Sequence, residues 1–170
     1  HAAAVEAQNN NVSGIILDLR DDPGGYLDGA VSIASYWVNK GDMVVSERHS
    51  DGSEIPFTAL GGNILAKIPT IVMVNGGSAS ASEIFTGALK DHKIAQVLGT
   101  KSVGKGSVQE LISLPQDSAV KVTVAKWMTP NGYNINHNGI DPDIKVEITP
   151  NDIQAQKDPQ IDKALELLTK

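Results

Sequence analysis

Residues 68–91 read IPTIVMVNGGSASASEIFTGALKD. The mainly apolar run at 68–74 predicts a strand buried on both faces, which ends at Asn75-Gly76-Gly77. The segment from Ala81 to Asp91 has the spacing of a helix. A buried strand joined to a helix by a glycine- and serine-rich loop is typical of the strand ends at which α/β proteins build their sites.

Similar patterns flank this unit on both sides. The apolar run at 14–19 and the run at 94–98 each predict a further buried strand followed by a glycine-rich loop, at 20–25 and at 99–106. Helical spacing is found at 1–8, at 26–39 and at 158–170, where Ile161, Ala164, Leu165 and Leu168 share one face. Strands are predicted at 41–49, 54–58, 108–114, 119–128 and 144–148. The sequence therefore predicts one α/β domain, residues 1–170, with a mixed sheet.

Composition excludes several classes of function. The chain has 170 residues, 14 Lys+Arg against 20 Asp+Glu, a net charge of −6 and no cysteine. Disulfides and thiolate metal sites are therefore excluded. The acidic balance argues against nucleic acid or an anionic membrane surface as the main partner. No apolar run approaches the roughly 20 residues of a membrane span, and the first residues carry no targeting pattern.

Ser80 stands where the predicted helix begins. Free N–H groups and the positive end of the helix dipole favour a developing negative charge there, as a serine nucleophile with an oxyanion hole requires. The alternative is a capping box, in which Ser80 caps the helix and Glu83 reaches back to it. The Gly-x-Ser-x-Gly elbow of α/β-hydrolases is absent, because residues 76–80 lack its final glycine.

A serine nucleophile needs a base, and none of the four histidines is a strong candidate. His1, His49, His92 and His137 all lie in polar segments and are predicted to be solvated surface residues. A Ser/His/Asp triad is therefore disfavoured. No two of these histidines have the spacing of metal ligands, so no metal site is predicted.

Lys105 is the remaining candidate base. Residues 99–105 match the start of a phosphate-binding loop, but Gly106 replaces the required Ser or Thr and a strand pattern follows, which disfavours nucleotide binding. A glycine on each side of Lys105 indicates a close backbone approach or a special turn. A lysine with the usual pKa near 10.4 is almost fully charged at neutral pH, so a lysine base requires a site that desolvates it. Gln109, an uncharged neighbour, suits that purpose; otherwise it is an ordinary exposed strand residue.

Read together, these segments resemble the carboxyl-terminal processing peptidases, also called tail-specific proteases. The resemblance covers nearly the whole chain, in order. It is carried by Gly14–Arg20 with Pro23-Gly24-Gly25, by Gly77–Glu83, by Gly104–Gln109, and by the elements Thr129-Pro130-Asn131-Gly132 and Gly139-Ile140-Asp141-Pro142-Asp143. Asp21-Asp22 stands where the family commonly has two asparagines.

The resemblance implies a fold and a site. The fold is crotonase/Clp-protease-like, an α/β domain of β-β-α units. Ser80 would be the nucleophile, Lys105 the general base and Gln109 the residue that orients it. The backbone N–H groups of Gly25 and Ala81 would form the oxyanion hole. The implied activity is a serine endopeptidase that cleaves proteins near their C-termini or in unfolded segments, without metal, nucleotide or other cofactor.

The resemblance also sets expectations for the whole protein. Family members carry a PDZ domain before this core and N-terminal helices that dimerise, so we expect this chain to be a protease core and the full-length protein to form a homodimer. Most members work outside the cytoplasm, in the bacterial periplasm or cell envelope. Two other functions stay open. One is a latent or inactive module of the same fold that acts as a scaffold or binds peptides. The other is acyl-CoA chemistry, suggested by the fold relationship alone.

Overall fold

The computed structural model describes residues 1–169 and confirms an α/β fold with parallel and antiparallel strand pairs. In chain order its elements are α1 (Ala2–Asn9), β1 (Ile15–Asp18), α2 (Leu27–Ala34), β2 (Met43–His49), β3 (Glu54–Thr58), β4 (Thr70–Val74), α3 (Ala81–Asp91), β5 (Ala95–Gly99), β6 (Ser107–Leu114), β7 (Ser118–Met128), β8 (Ile144–Lys145), α4 (Pro150–Gln154) and α5 (Pro159–Leu168). The short helix α4 was not predicted; Thr149 caps it and Pro150 begins it.

The strands form two four-stranded sheets. The parallel sheet has the order β1-β4-β5-β8, and the antiparallel sheet has the order β3-β2-β7-β6. Strand β4 is buried along its whole length, as its apolar sequence predicts. The prediction that β1 is buried on both faces is wrong: its residues are half-buried or exposed. Among residues 1–169, β1 is an edge strand that pairs only with β4.

Helices cover both faces of the parallel sheet. Helices α2 and α3 pack with Val72 and Val74 into the main core, which also contains Trp37, Val44 and Trp127. Helix α5 covers the other face, where Ala164 meets Ile71, Met73 and Leu98. The predicted apolar face of this helix is correct for Ile161 and Leu168, but Leu165 is half-exposed and Leu167 packs in its place. Lys170, the last residue of that predicted helix, lies outside the described residues.

The outer part of the β6–β7 hairpin stands clear of the core. Ile112, Leu114, Val120 and Val122 are all substantially exposed there. Only the base of the hairpin, next to the loop that carries Lys105, packs against the rest of the domain. Among residues 1–169, no helix combines the length and the apolar character of a membrane span.

Candidate active site

Ser80 lies in a sharp turn between β4 and α3. Its backbone angles are φ 56° and ψ −118°. An ordinary N-cap residue has an extended backbone, whereas a positive φ costs a non-glycine residue about 1–3 kcal/mol. Ser80 is nevertheless the N-cap of α3, and its N–H donates to Glu83 Oε2 at 2.9 Å. The turn thus combines a helix cap with the strained strand-to-helix geometry of a nucleophile elbow.

The loop before Ser80 is fixed by hydrogen bonds to the end of β1. Ser78 Oγ donates to the Leu19 carbonyl at 2.7 Å, and the Ala79 N–H donates to the Asp22 carbonyl at 3.0 Å. Asn75 Oδ1 accepts from the Asp21 N–H at 2.9 Å. The two glycine-rich strand ends that the sequence singles out are therefore joined directly.

Gly24 lies against the serine turn. It has a φ of 84°, and a Cβ atom added to it would stand 2.7 Å from the Ala81 nitrogen and 3.0 Å from Ser80 Cβ. Only glycine fits this position. Gly25, the next residue, is exposed and has open space around the position of a Cβ. The residues predicted to supply the oxyanion hole, Gly25 and Ala81, thus flank the nucleophile candidate.

Glu83 connects the serine turn to the loop that carries Lys105. Its side chain is only 1% exposed and accepts four hydrogen bonds. Oε2 accepts from the N–H groups of Ser80 and Lys105, at 2.9 and 2.8 Å. Oε1 accepts from Ser102 Oγ and the Gly104 N–H, both at 2.6 Å. One buried carboxylate therefore holds both proposed catalytic segments.

Glycines bring the Lys105 loop close to residues 135–139. A Cβ on Gly106 would stand 2.7 Å from the Ile135 carbonyl carbon, and one on Gly104 would stand 2.8 Å from the Gly139 nitrogen. The Gly104 carbonyl accepts from the His137 N–H at 2.8 Å. The close backbone approach predicted from the two glycines is confirmed. The strand β6 that begins at Ser107 also confirms that no phosphate-binding helix follows this loop.

The Lys105 side chain itself is exposed. The desolvation expected of a lysine base is therefore not provided by residues 1–169. Gln109 is also exposed, and its Nε2 donates to Thr123 Oγ1 at 3.4 Å. Within the described residues, no hydrogen bond joins Gln109 to Lys105. Glu83 thus joins the Ser80 turn to the Lys105 loop through their backbone N–H groups. The predicted contact in which Gln109 orients the Lys105 side chain is not formed.

Within residues 1–169, no hydrogen bond joins a histidine side chain to Ser80, but two of the histidines are not solvated as predicted. His92 is half-buried, and its Nε2 lies 2.7 Å from the Met43 carbonyl at the start of β2. His49 is also half-buried, with Glu47 3.7 Å away. Both lie at the ends of β2, an inner strand of the antiparallel sheet. Within residues 1–169, no group of three or more histidine and carboxylate side chains is arranged to hold a metal ion.

An ion-pair network fixes the loop that follows β1. Arg20 makes two hydrogen bonds to the Asp18 carboxylate, at 2.9 and 2.7 Å, and pairs with Asp158 at 2.8 Å. Burial raises the pKa of Asp18, but the hydrogen bonds from Arg20 outweigh it and hold that pKa below its ordinary value. Asp18 and Asp158 together raise the pKa of Arg20. The end of β1 is thereby tied to the start of α5.

The sequence alone did not identify the central position of Glu83. It indicated only the capping role, since the bonds to Ser102, Gly104 and Lys105 join segments far apart in the chain. One signal was available: Glu83 is a carboxylate followed directly by the apolar pair Ile84-Phe85 in a helix buried on most sides. A buried carboxylate requires several partners, and these partners locate the site.

Comparisons with known proteins show the family of the chain. Residues 1–146 match peptidase family S41. The chain is 46% identical over 138 residues to the carboxy-terminal-processing protease of Bartonella bacilliformis, covering 81% of this chain and 32% of that protein. It is 38% identical over 154 residues to the chloroplastic C-terminal processing peptidase of Tetradesmus obliquus, covering 89% of this chain and 33% of that protein.

A solved structure has the same fold. The photosystem II D1 C-terminal processing protease matches with a TM-score of 0.82 and 37% identity, over 90% of this chain and 40% of that one. The chain thus spans about a third of the length of these curated relatives. Because the family match extends over most of its length, the chain belongs to peptidase family S41.

Proposed function

We propose that this chain is the catalytic core of a serine endopeptidase that cleaves proteins near their C-terminal tails or in unfolded segments. The observation that carries this proposal is the backbone of Ser80, which keeps a strained positive φ at a helix N-terminus, in contact with the Gly24-Gly25 loop. A serine used only as a cap gains nothing from that strain. The C-terminal substrates are suggested by the names of the relatives.

In the proposed mechanism, Ser80 Oγ attacks the scissile carbonyl carbon while the neutral amine of Lys105 takes the hydroxyl proton. The carbonyl oxygen becomes negative, and the N–H groups of Gly25 and Ala81 donate to it. When the C–N bond breaks, the ammonium of Lys105 returns its proton to the leaving amine. Water then attacks the acyl-enzyme, and Lys105 takes a proton from the water. Lys105 returns this proton to Ser80 Oγ when the ester bond breaks. No metal or cofactor takes part.

The exposure of Lys105 favours one addition to this mechanism. A lysine acts as a base only as the neutral amine, and removal from water favours that form. Since the core leaves Lys105 exposed, a bound substrate or another part of the longer protein has to cover it. In the active state we expect Gln109 to leave Thr123 and accept a hydrogen bond from the lysine.

The exposure of Lys105 also favours the second candidate, a latent or inactive module that acts as a scaffold or binds peptides. In the structure, Lys105 is solvated and Gln109 bonds to Thr123, so the side chains of the catalytic set are not assembled. An isolated core in this state would bind a peptide at the serine turn without cleaving it. The two proposals share the site and differ only in whether Lys105 accepts a proton.

Cleavage of an unfolded protein substrate separates the two. The wild-type chain, Ser80→Ala and Lys105→Ala are incubated with a denatured protein, and the products are identified by mass spectrometry. Lys101→Ala is the matched control, because Lys101 lies in the same loop and its side chain pairs with the exposed Asp141. We expect cleavage by the wild type and Lys101→Ala alone. Absence of cleavage by the wild type, with no labelling of Ser80 by a serine-directed phosphonate, would favour the inactive module.

The location of the protein is a further part of the proposal. We propose that it works outside the cytoplasm, in the cell envelope, as most members of the family it resembles do. Fractionation of the source cells, followed by detection of the full-length protein with an antibody, tests this. Recovery in the cytoplasmic fraction would contradict it.

A further inference from the structure

Ser102 is a buried serine in the loop that carries Lys105, and the proposed mechanism does not use it. It is 7% exposed. Its Oγ donates to Glu83 Oε1 and accepts from the Ile140 N–H, both at 2.6 Å. The Ser102 N–H also donates to the Ile140 carbonyl, at 3.2 Å. Ser102 therefore connects the buried carboxylate of α3 to residues 139–143, one of the sequence motifs to which the mechanism gives no role.

The two partners of Ser102 Oγ fix the direction of its hydroxyl hydrogen. A backbone N–H can only donate, so Oγ accepts from Ile140. A carboxylate can only accept, so the single hydroxyl hydrogen points to Glu83. A side chain without a hydroxyl at position 102 would leave the Ile140 N–H unpaired and would remove one of the donors to Glu83.

Residues 139–143 are a firm support for Ser102. The Asp143 N–H donates to the Val97 carbonyl, and the Val97 N–H donates to Asp143 Oδ2, both at 2.8 Å. Val97 is fully buried in β5. Lys90 of α3 pairs with Asp143 at 2.8 Å. The segment is thus held by a core strand and by the helix that begins at the nucleophile candidate.

Glu83 transmits the position of Ser102 to the two proposed catalytic residues. Oε1, the atom that Ser102 contacts, also accepts from the Gly104 N–H. Oε2 accepts from the N–H groups of Ser80 and Lys105. The two oxygens belong to one planar group, so a rotation of the carboxylate after loss of the Ser102 bond moves both acceptors. The backbones of Ser80 and Lys105 would then shift relative to each other.

We propose that Ser102 is a positioning residue of the peptidase, whose hydroxyl acts through Glu83 to set the distance between Ser80 Oγ and the amine of Lys105. The inference rests on the proposed peptidase function and adds a residue to the same site. Proton transfer needs the two groups within hydrogen-bond reach, and a displacement of about 1 Å can lower a rate about 100-fold. Loss of the Ser102 hydroxyl is therefore expected to lower kcat and to leave KM nearly unchanged.

Ser35 provides a matched control in another part of the domain. It is 3% exposed, its Oγ donates to the Val31 carbonyl at 2.7 Å, and it accepts from the Leu60 N–H at 2.8 Å. Like Ser102, it is a buried hydroxyl with one acceptor and one backbone N–H donor. We expect Ser102→Ala and Ser35→Ala both to lower the urea midpoint of unfolding, because each leaves an N–H without its partner. A loss of stability is then common to the two variants.

The first measurement determines kcat and KM for a fluorogenic peptide taken from a site that is cleaved in the denatured protein substrate. The wild type, Ser102→Ala, Ser102→Thr and Ser35→Ala are compared at a temperature at which all four are folded. We expect Ser102→Ala to lower kcat about 10- to 100-fold and to change KM by less than about threefold. Ser102→Thr keeps the hydroxyl, so it should retain a kcat near the wild-type value, as should Ser35→Ala.

Three kinetic results would contradict the positioning role and leave the peptidase function intact. They are no loss of kcat in Ser102→Ala, an equal loss in the two alanine variants, and a loss in Ser102→Thr as large as that in Ser102→Ala. The first would show that the hydroxyl is dispensable, the second that any buried hydroxyl matters equally, and the third that the hydroxyl is not the group that acts.

The second measurement does not depend on catalysis. Hydrogen exchange followed by NMR reports how firmly each backbone N–H is held. In Ser102→Ala, we expect the N–H groups of Gly104 and Lys105 to exchange at least about tenfold faster than in the wild type. In Ser35→Ala, we expect the Leu60 N–H to exchange faster and these two to be unchanged.

The exchange rates also separate failure of this proposal from failure of the proposed function. If even the wild type cleaves no peptide, the peptidase function fails, and exchange still decides whether Ser102 holds the Lys105 loop. Unchanged exchange at Gly104 and Lys105 in Ser102→Ala would overturn the proposal. Equal acceleration throughout the domain would overturn it as well, because it would show a general loss of stability.

Discussion

Glu83 accepts a hydrogen bond from the backbone N–H of Lys105 at 2.8 Å, so the helix that begins at the nucleophile candidate also fixes the lysine loop. In Glu83→Gln, one of the two carboxylate oxygens becomes an NH₂ group, which cannot accept from the donors it faces. We expect a loss of at least about 3 kcal/mol in the free energy of unfolding, because hydrogen bonds to a charged group contribute about 1.5–3 kcal/mol each. Urea unfolding measures this loss, and the exposed Glu110→Gln should leave the stability unchanged.

The backbone strain at Ser80 predicts that the protein becomes more stable when the nucleophile candidate is removed. Ser80→Gly relieves about 1–3 kcal/mol of backbone strain, but the greater entropy of glycine in the unfolded chain costs about 0.5–1 kcal/mol. We therefore expect the free energy of unfolding to rise by about 1 kcal/mol while activity is lost. Denaturant unfolding measures the gain. The same change in the regular helix α2, Ser32→Gly, should lower stability instead. Equal losses in both variants would show that the Ser80 turn is not strained.

The proposed oxyanion hole is tested by deleting one donor without changing a side-chain contact. Gly25→Pro removes the N–H, and Gly25→Ala keeps it; open space surrounds the Cβ position in both. We expect kcat to fall about 10²- to 10³-fold in the proline variant, with its unfolding transition retained, and to stay near wild type in the alanine variant. Similar activity in the two variants would exclude the Gly25 N–H as a donor.

Gly106 is expected to be intolerant of any side chain. A Cβ there meets backbone atoms of Ile135 and Asn136, which cannot move aside as a flexible side chain would. We expect Gly106→Ala to cost about 1–3 kcal/mol and to lower kcat/KM, since it displaces the loop that carries Lys105. Thermal unfolding and peptide cleavage measure the two effects. Gly76→Ala, which meets no neighbouring atom, is the control and should be close to neutral.

The ion pair of Asp18 predicts a pH-dependent stability. The pKa of Asp18 is lowered from 3.8, so its contribution is present above about pH 4 and is lost as the pH falls through the lower, folded-state pKa. Asp18→Asn should therefore be less stable than the wild type at pH 7, and the difference should vanish in strong acid. We expect it to stay below about 1 kcal/mol, because the carboxylate is partly exposed. Urea unfolding across this pH range checks it. In an Arg20→Gln background the difference should shrink, because only the hydrogen bond from the backbone N–H of residue 20 is left.

Local sequence patterns were sufficient to predict most of the fold. The structure contains β4, α3, β6 and β7 as predicted. A continuous apolar run predicted β4, and the spacing of apolar side chains predicted the other three. The status of β1 could not be predicted in this way. Its apolar sequence matches a central strand, but strand order makes it an edge, and strand order is not a local property.

In the candidate site, too, local features could be predicted from the sequence and non-local ones could not. The glycines around Lys105 indicated a close approach, because a missing side chain is itself a local signal. The partners of Glu83 and the exposure of Lys105 depend on segments that meet only after folding. Sequence identified the residue types that the chemistry needs, whereas their contacts followed from the arrangement of three loops.

The parallel sheet also determines when the site forms. Ile15 pairs with Thr70, and Leu98 pairs with Ile144, so long segments of chain must close before either pairing exists. Non-local pairings of this kind slow folding, since the entropy of loop closure is lost before the contacts are gained. The Ser80 turn follows the central strand of this sheet and is held by donors as distant as Lys105. A newly made or partly unfolded chain therefore lacks the contact between the Ser80 turn and the Lys105 loop.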